Sequence, residues 1–479
     1  MASTNPVKVL EVCKVSPYMD SPESPTTESS LPLTFFDLMW LRFHPVERIF
    51  FYELTELTHD LFRSTVLPRL KHSLSLTLLH FLPLAGNLTW PSHASKPFLL
   101  YTPGDGVALT VAVSDADFRR LSGDHVKGVQ ESGHYVPELS VTDSAASPIA
   151  LQITYFPNQG FCIGVSAHHA ILDGKSSIMF VKAWANLCKR KGREDLEREH
   201  PSLPPELAPC LNRALVQDPE EDLASFYLND WSKLTQMMQG KDSDPKSLAL
   251  LPMAPVDPAE RVKITVRLSR EDIRRIRERV SLDFDKVSKD DHQPKPLHLS
   301  TFVIVYAYTL VCIMRAKGLA HNKKVIIGFV ADCRARLEPP LPANYFGNCV
   351  IFCIAVTQAR NIVEEHTSVA FVAKELSGCV TKLEKGVLEA AKRSLSEYAK
   401  EGLSEVEAIG VAGSTRLEVY GTDFGWGRPK KVEVTSIDRT GSISMAESGD
   451  GSGGVEIGCV LKKHQMQMFC SLFAGGLPC

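Results

Sequence analysis

Residues 166–177 read Ser-Ala-His-His-Ala-Ile-Leu-Asp-Gly-Lys-Ser-Ser, in one-letter code SAHHAILDGKSS. The apolar run before them, from Gly160, has the composition of a short buried strand. After them, residues 174–191 place Ile178, Phe180, Val181, Trp184 and Leu187 at helical spacing and end in cations, as a helix C-terminus favours. The stretch is therefore a strand-to-helix turn. Its Gly-Lys-Ser tail is how a phosphate-binding loop ends, but that loop needs a glycine where this chain has His169, and an imidazole there blocks the curl of backbone amides around a phosphate. No later strand ends in an acidic magnesium site. The histidine is the chemical feature of the turn, because a neutral imidazole with a pKa of ~6.5 takes a proton at neutral pH. On these residues alone, His169 and Asp173 could equally be a surface i, i+4 pair and His168 a core residue.

Working outward, 479 residues with 44% hydrophobic and 23% charged side chains suit two or three globular domains, each with its own core. The net charge of -3 gives no field that would steer the chain onto nucleic acid or an anionic membrane. The start, MASTNPVKVLEVCKVSP, lacks the basic flank and apolar core of a secretory signal. The longest apolar run, Thr301 to Met314, is shorter than the ~20 residues of a membrane span. The 12 cysteines form no Cys-x-x-Cys pair and no zinc spacing with histidine, so reduced thiols, a cytoplasmic location and no metal are expected.

Apolar steps from Leu67 through Leu70, Leu74 and Leu78 to Leu82 predict a helix within 61–82. Short strands are expected at 98–101, 107–113, 149–155 and 160–166. The Pro-rich stretch PSLPPELAP at 201–209 is the sharpest break in composition. With the weakly periodic sequence after it, an interdomain crossover is expected at 201–235, between an N-terminal lobe 1–200 and a C-terminal lobe 236–479. Beyond it come a strand at 261–268, a helix at 269–280, a charged loop at 283–295 and a buried helix at 298–316. A strand at 324–330, one or two helices within 367–400 and a final helix at 462–473 complete a mixed α/β chain.

The chain has no G-x-S-x-G elbow and no H-E-x-x-H, so a histidine working without a protein nucleophile fits direct acyl transfer. His168-His169 with Asp173-Gly174 resembles the HHxxxDG motif of coenzyme-A-dependent acyltransferases. Near the C-terminus, VYGTDFGWGRPKK carries Asp423-Phe424-Gly425-Trp426-Gly427, which is similar to the DFGWG signature of the plant BAHD acyltransferases. A kinase Asp-Phe-Gly would need a Gly-rich loop and His-Arg-Asp ahead of it, and neither is present. The likeness extends over 31–52, 70–88 and 332–350. There Tyr345-Phe346-Gly347-Asn348-Cys349 resembles the YFGNC motif of the branch that acylates flavonoid, anthocyanin and phenolic glucosides, chiefly with malonyl groups. One departure is Ser414-Thr415-Arg416-Leu417, where that branch usually has Ser-Pro-Arg/Lys-Phe.

The resemblance implies an α/β protein of two chloramphenicol-acetyltransferase-like lobes, mixed sheets flanked by helices, with a tunnel between them. In it His169 would deprotonate a sugar or phenol hydroxyl for direct attack on an acyl-CoA thioester, most of all malonyl-CoA, with no acyl-enzyme, cofactor or metal. Asp173 and Gly174 would keep the turn in shape, with Arg334 or Arg336 as the partner of Asp173. Glycines 425 and 427 around Trp426 describe a sharply turned loop anchored by the indole. By the resemblance that loop, Asp423 to Gly427, shapes the coenzyme pocket from a distance. Ser414, Arg416 and Arg428 are candidate contacts to coenzyme or acyl group, and Lys430 and Lys431 to its phosphates. The expected partners are a small-molecule acyl-CoA and a glycosylated phenolic acceptor, with no nucleic acid or membrane, and the expected state is a monomer. An acetyl or hydroxycinnamoyl donor with another alcohol, or a non-catalytic acyl-CoA-binding relative, are the alternatives.

Overall fold

The strand Gly160–Ala167 is buried along its whole length, as is its hairpin partner Ile149–Phe156. Near-continuous apolar sequence is what a strand covered on both faces requires. This is seen in a computed structural model that describes residues 6–19, 26–190, 202–218, 222–239, 246–253, 257–287, 298–364, 366–384, 386–392 and 406–477.

In chain order, β1 (Val7–Val15), β2 (Val46–Glu53), β3 (Val107–Ser114), β4 (Ile149–Phe156), β5 (Gly160–Ala167) and β6 (Lys431–Val434) make a six-stranded mixed sheet, ordered β1-β3-β4-β5-β2-β6. β3 and β4 run parallel and the other neighbours antiparallel. Helices α1 (Leu67–His80) and α2 (Gly174–Lys189) pack together, and the Trp184 indole of α2 donates to the Leu70 carbonyl of α1 at 3.1 Å. Further along are α3 (Leu223–Gln239) and α4 (Thr301–Lys317), the latter capped by Ser300, whose side chain accepts from Val303 N. A second sheet runs Val411–Ala412, Ile443–Glu447, Val455–Lys462, Arg261–Leu268, Lys127–Gly128, and a third pairs Lys324–Asp332 with Val350–Gln358 and Val406–Ile409.

The two larger sheets exchange strands. β6, from near the end of the chain, closes the first sheet beside β2, while Lys127–Gly128 pairs with Arg261–Leu268 in the second. Buried charges seam the exchange. Lys127 lies 2.6 Å from Glu433, Lys263 2.7 Å from Asp438, and Lys431 2.7 Å from Asp124 and 3.0 Å from Glu456. Burial alone would raise the Glu433 carboxyl, but Lys263 and Lys127 hold it well below the usual carboxylate range. Lys431, a candidate for coenzyme phosphates on sequence, is instead buried and neutralised inside this seam.

Local differences from the sequence expectations have local causes. The helix expected over 61–82 opens earlier, at His59–Leu61 under a Thr58 cap, and passes through a π turn, Phe62–Val66, before α1, because Pro68 supplies no N–H to the preceding turn. The crossover at 201–235 contains most of α3. Its buried Leu223, Tyr227, Trp231 and Leu234 follow steps of four, four and three, a period masked in sequence by the polar residues between them. The helix expected to end at 280 continues to Val287. Most of the charged loop at 283–295, and the helical stretch beyond 392, lie outside the described residues. Among the described residues no helix is long and apolar enough to cross a membrane.

A Cβ at Gly164, in the middle of β5, would stand 2.0 Å from the Tyr135 carbonyl oxygen, whereas one at Gly174 would meet only Leu417 Cδ1 at 3.4 Å. Urea unfolding of Gly164→Ala should therefore show a loss of about 1–3 kcal/mol, with Gly174→Ala within about 1 kcal/mol of the parent.

Candidate active site

Where β5 ends, the chain turns under backbone control. His168 N donates to the Pro148 carbonyl at 2.9 Å, and the His168 carbonyl accepts from Ile171 N at 3.0 Å. Asp173 then caps α2, its Oδ1 accepting from Ser176 N at 2.8 Å. His168 is wholly buried and accepts from Ala170 N at Nδ1, and burial, with His169 adding to it, pushes its pKa down to about 3. His169 is partly exposed and lies flat on Trp40, ring centroids 4.1 Å apart and planes 9° from parallel, with Phe43 at 6.1 Å. Burial pushes the His169 pKa down to about 4, against the opposing pull of its own backbone carbonyl and of Asp173. The imidazole is thus neutral at pH 7. Its Nδ1 is buried with no hydrogen-bond partner among the described residues.

Asp173 is fully committed elsewhere. Its Oδ2 lies 2.8 Å from Arg334 Nη2 and accepts from Cys349 N at 3.2 Å. Arg334 spends its remaining donors on the Tyr345 carbonyl (3.1 Å), the Gly347 carbonyl (2.8 Å), Ser176 Oγ (3.1 Å) and Asp332 (3.0 Å). Arg336 is exposed and donates to the Asp332 carbonyl, so of the two arginines considered it is Arg334 that meets Asp173. Gly174 opens the helix with Leu417 over it.

The segment 345–349 is the other half of the turn's support, beyond what sequence patterns gave. Asn348 Nδ2 donates to the His169 carbonyl at 2.9 Å and to Asp37 Oδ1 at 3.1 Å. The Asp37 carboxylate also takes Asn348 N, Thr34 N and Thr34 Oγ1. Gly347 sits at φ +141°, and a Cβ there would run into the Arg213 guanidinium, which in turn donates to Tyr345 Oη at 2.7 Å. Trp40, Asp37 and Arg213 carry no periodic or charge signal of this role. The Thr34-x-x-Asp37 capping box was the one legible hint.

The Asp423–Gly427 loop lies at the far end of α2. Asp423 Oδ1 accepts from the amides of Gly425 (2.8 Å) and Gly427 (2.9 Å), both at positive φ, and Oδ2 pairs with Lys189 at 2.6 Å. Phe424 is buried edge-on against Trp184 and Tyr52, and Trp426 stacks under the Arg69 guanidinium at 4.8 Å. Sixteen residues of α2 at 1.5 Å each span about 24 Å, and Asp423, paired with Lys189 at the far end, is too far from His169 for proton transfer. Ser414 caps the turn Thr415–Leu417 at the His169 end of α2 with Arg416 exposed beside it, while Arg428 and Lys430 are exposed at the other end, Lys430 3.4 Å from Glu53. Among the described residues no group of three His, Cys, Asp or Glu side chains is placed to hold a metal ion.

A family model described as the Transferase family matches residues 10–474. In Arabidopsis thaliana, phenolic glucoside malonyltransferase 1 and malonyl-CoA:anthocyanidin 5-O-glucoside-6''-O-malonyltransferase are each 44% identical to this chain, covering 98% of both sequences. Agmatine coumaroyltransferase of the same plant is 37% identical with the same coverage. Among solved structures, vinorine synthase superposes with a TM-score of 0.66 at 18% identity over 98% of both chains. TRI101 of F. sporotrichioides, complexed with coenzyme A and T-2, superposes at 0.61 and 13%, over 92% of this chain and 97% of that one. The chain belongs to the BAHD acyltransferases and has their chloramphenicol-acetyltransferase-like α/β fold. It is an acyl-CoA-dependent O-acyltransferase.

Two substitutions separate the supports of the turn. Arg334→Met, which strands the buried Asp173 carboxylate, should lower unfolding free energy by about 3–5 kcal/mol, read by urea denaturation. Trp40→Leu should lower kcat about tenfold or more at nearly unchanged KM for acyl-CoA, and Trp40→Phe, which keeps a flat ring under His169, should restore most of it.

Proposed function

We propose that this protein transfers a malonyl group from malonyl-CoA to a sugar hydroxyl of a glycosylated phenol, by direct attack and with His169 as general base. The observation that carries this is the placement of the His169 imidazole at the strand end, its ring stacked on Trp40 and its Nδ1 buried. The acceptor O–H gives its proton to Nε2 as the oxygen attacks the thioester carbonyl. The tetrahedral oxyanion then collapses, the C–S bond breaks, and the coenzyme thiolate takes the proton back from the imidazolium. Asp173 takes no part in the transfer and keeps the turn in shape through Arg334.

The malonyl donor and the glucoside acceptor are supported by the 44% identity to two malonyltransferases of such glucosides. In this scheme donor and acceptor reach His169 through a tunnel between two lobes that divide near 201–235, and the enzyme works as a cytoplasmic monomer. A hydroxycinnamoyl donor is the second reading, favoured by the coumaroyltransferase relative and by Phe43 and Phe352 flanking the Trp40–His169 stack.

Coenzyme A release is to be followed with malonyl-, acetyl- and p-coumaroyl-CoA against a phenolic glucoside. Malonyl-CoA should give the highest kcat/KM, and His169→Ala should lose about 10²- to 10⁴-fold with every donor. Full activity in that variant would remove His169 as the base, and preference for another thioester would move the donor. Protonation removes the base, so kcat/KM should stay level from neutrality to about pH 5 and fall with a midpoint near 4. Stability has the same sign. Between ~6.5, the unfolded value, and about 4 for His169 or about 3 for His168, the unfolded chain binds protons that the folded protein refuses, so unfolding free energy should decline as pH falls through that window.

A further inference from the structure

Residues 205–213, at and beyond the Pro-rich stretch, run along the residues that lead into the 345–349 segment and are stitched to them. Cys210 N donates to the Asn344 carbonyl at 3.0 Å, Phe346 N to the Cys210 carbonyl at 3.0 Å, and Asn344 Nδ2 to the Ala208 carbonyl at 2.7 Å. These bonds lead the chain into a 3-10 turn, Arg213–Leu215, which Asn212 caps by accepting from Ala214 N. The turn delivers a single cation, Arg213, into the interior.

Three features of the 345–349 segment and its neighbours converge on that side chain. Its Nη1 donates to Tyr345 Oη at 2.7 Å, and its guanidinium lies 5.4 Å from the centre of the Tyr345 ring. A Cβ at Gly347 would stand 1.7 Å from Nη1, so the guanidinium takes the space the glycine leaves. Nη1 is also 3.7 Å from Asp37 Oδ2, and among the described residues it is the one cationic group within 4 Å of that carboxylate.

Asp37 is wholly buried and accepts four hydrogen bonds, two from Thr34 and two from Asn348. Those bonds solvate the carboxylate without cancelling its charge, which is what a buried ion requires of a partner. Thr34 lies three residues from Asp37 in the same cap and moves with it. Asn348 comes from a distant segment, and its Nδ2 also holds the His169 carbonyl. A carboxylate deprived of its cation is drawn towards water, and the contact that parts is the one to Asn348, which takes the His169 turn with it.

We infer that Arg213 is a positioning residue for acyl transfer: by neutralising Asp37 it keeps Asn348 on the His169 carbonyl, and residues 205–213 are the strap that brings it there. The inference rests on His169 as the base.

Arg213→Gln removes the charge and Arg213→Lys keeps it. Each is made alone and with Asn348→Ala, beside His169→Ala, and kcat and KM are measured with the thioester and phenolic glucoside that turn over fastest. Arg213→Gln should lower kcat about tenfold or more with KM for both substrates within about twofold, because a misplacement of about 1 Å can cost ~10²-fold. Arg213→Lys should recover most of that loss. In the Asn348→Ala background Arg213→Gln should lower kcat by less than about twofold, since a residue that acts through Asn348 then has nothing to act on. An undiminished kcat in Arg213→Gln, an equal loss in Arg213→Lys, a KM that rises in step with the fall in kcat, or the full loss repeated in the Asn348→Ala background each overturns the inference. Should Arg213→Gln not fold, Arg213→Lys decides alone: a kcat within about threefold of the parent supports the inference and a loss of about tenfold overturns it. Full activity in His169→Ala would instead remove the base, an outcome separate from an active Arg213→Gln beside an inactive His169→Ala.

Discussion

The contact between Asp173 and Arg334 is the joint on which the site depends. A carboxylate and a guanidinium that are both 2% exposed are costly to bury unless every donor finds an acceptor. Here the cost is met by geometry. The fork of Arg334 reaches two backbone carbonyls of the 345–349 segment, Ser176 and Asp332, while Asp173 collects the amides of Ser176 and Cys349. The pair therefore does more than neutralise charge. It locks the loop from the third sheet onto the cap of α2, and that loop carries Asn348, which holds the His169 carbonyl. His169 is thus set from both sides, its backbone by Asn348 and Asp37 and its ring by Trp40.

Much of this was legible in the sequence, and the line between legible and hidden has a physical basis. The buried strand, the turn and the helix around His169 are local: apolar run, Asp-Gly start and cationic end are written within thirty or so residues, and the structure places Gly160–Ala167 and Gly174–Lys189 there. The choice of Arg334 over Arg336 was not local. Two arginines two residues apart differ only in which one the 3-10 turn after Asp332 directs inward. Trp40 likewise looks like any aromatic of an apolar stretch until the chain brings it beneath His169. The α3 helix was diluted by polar residues that its buried face tolerates, and the pairing of β6 with β2 leaves no trace in either segment alone.

The loop at Asp423 shows a motif acting at a distance. Its carboxylate is used up by two loop amides and Lys189, and its aromatic residues fix the end of α2 to the first sheet. With Asp173 at one end and this loop at the other, α2 is held as a strut about 24 Å long. Two motifs far apart in sequence are in this way the two ends of one helix.

The exchange of strands sets an order of events for a chain made from its N-terminus. Until residue 434 has left the ribosome, β2 has a partner on one side only, and its other edge, through Phe50 and Phe51, presents unpaired backbone. An apolar, open edge is a template for pairing with other chains, so a nascent or C-terminally truncated form of this protein carries an adhesive surface that the complete one does not. The segment that seals it begins four residues after Gly427, so the piece that buries the edge and the piece that braces α2 arrive together.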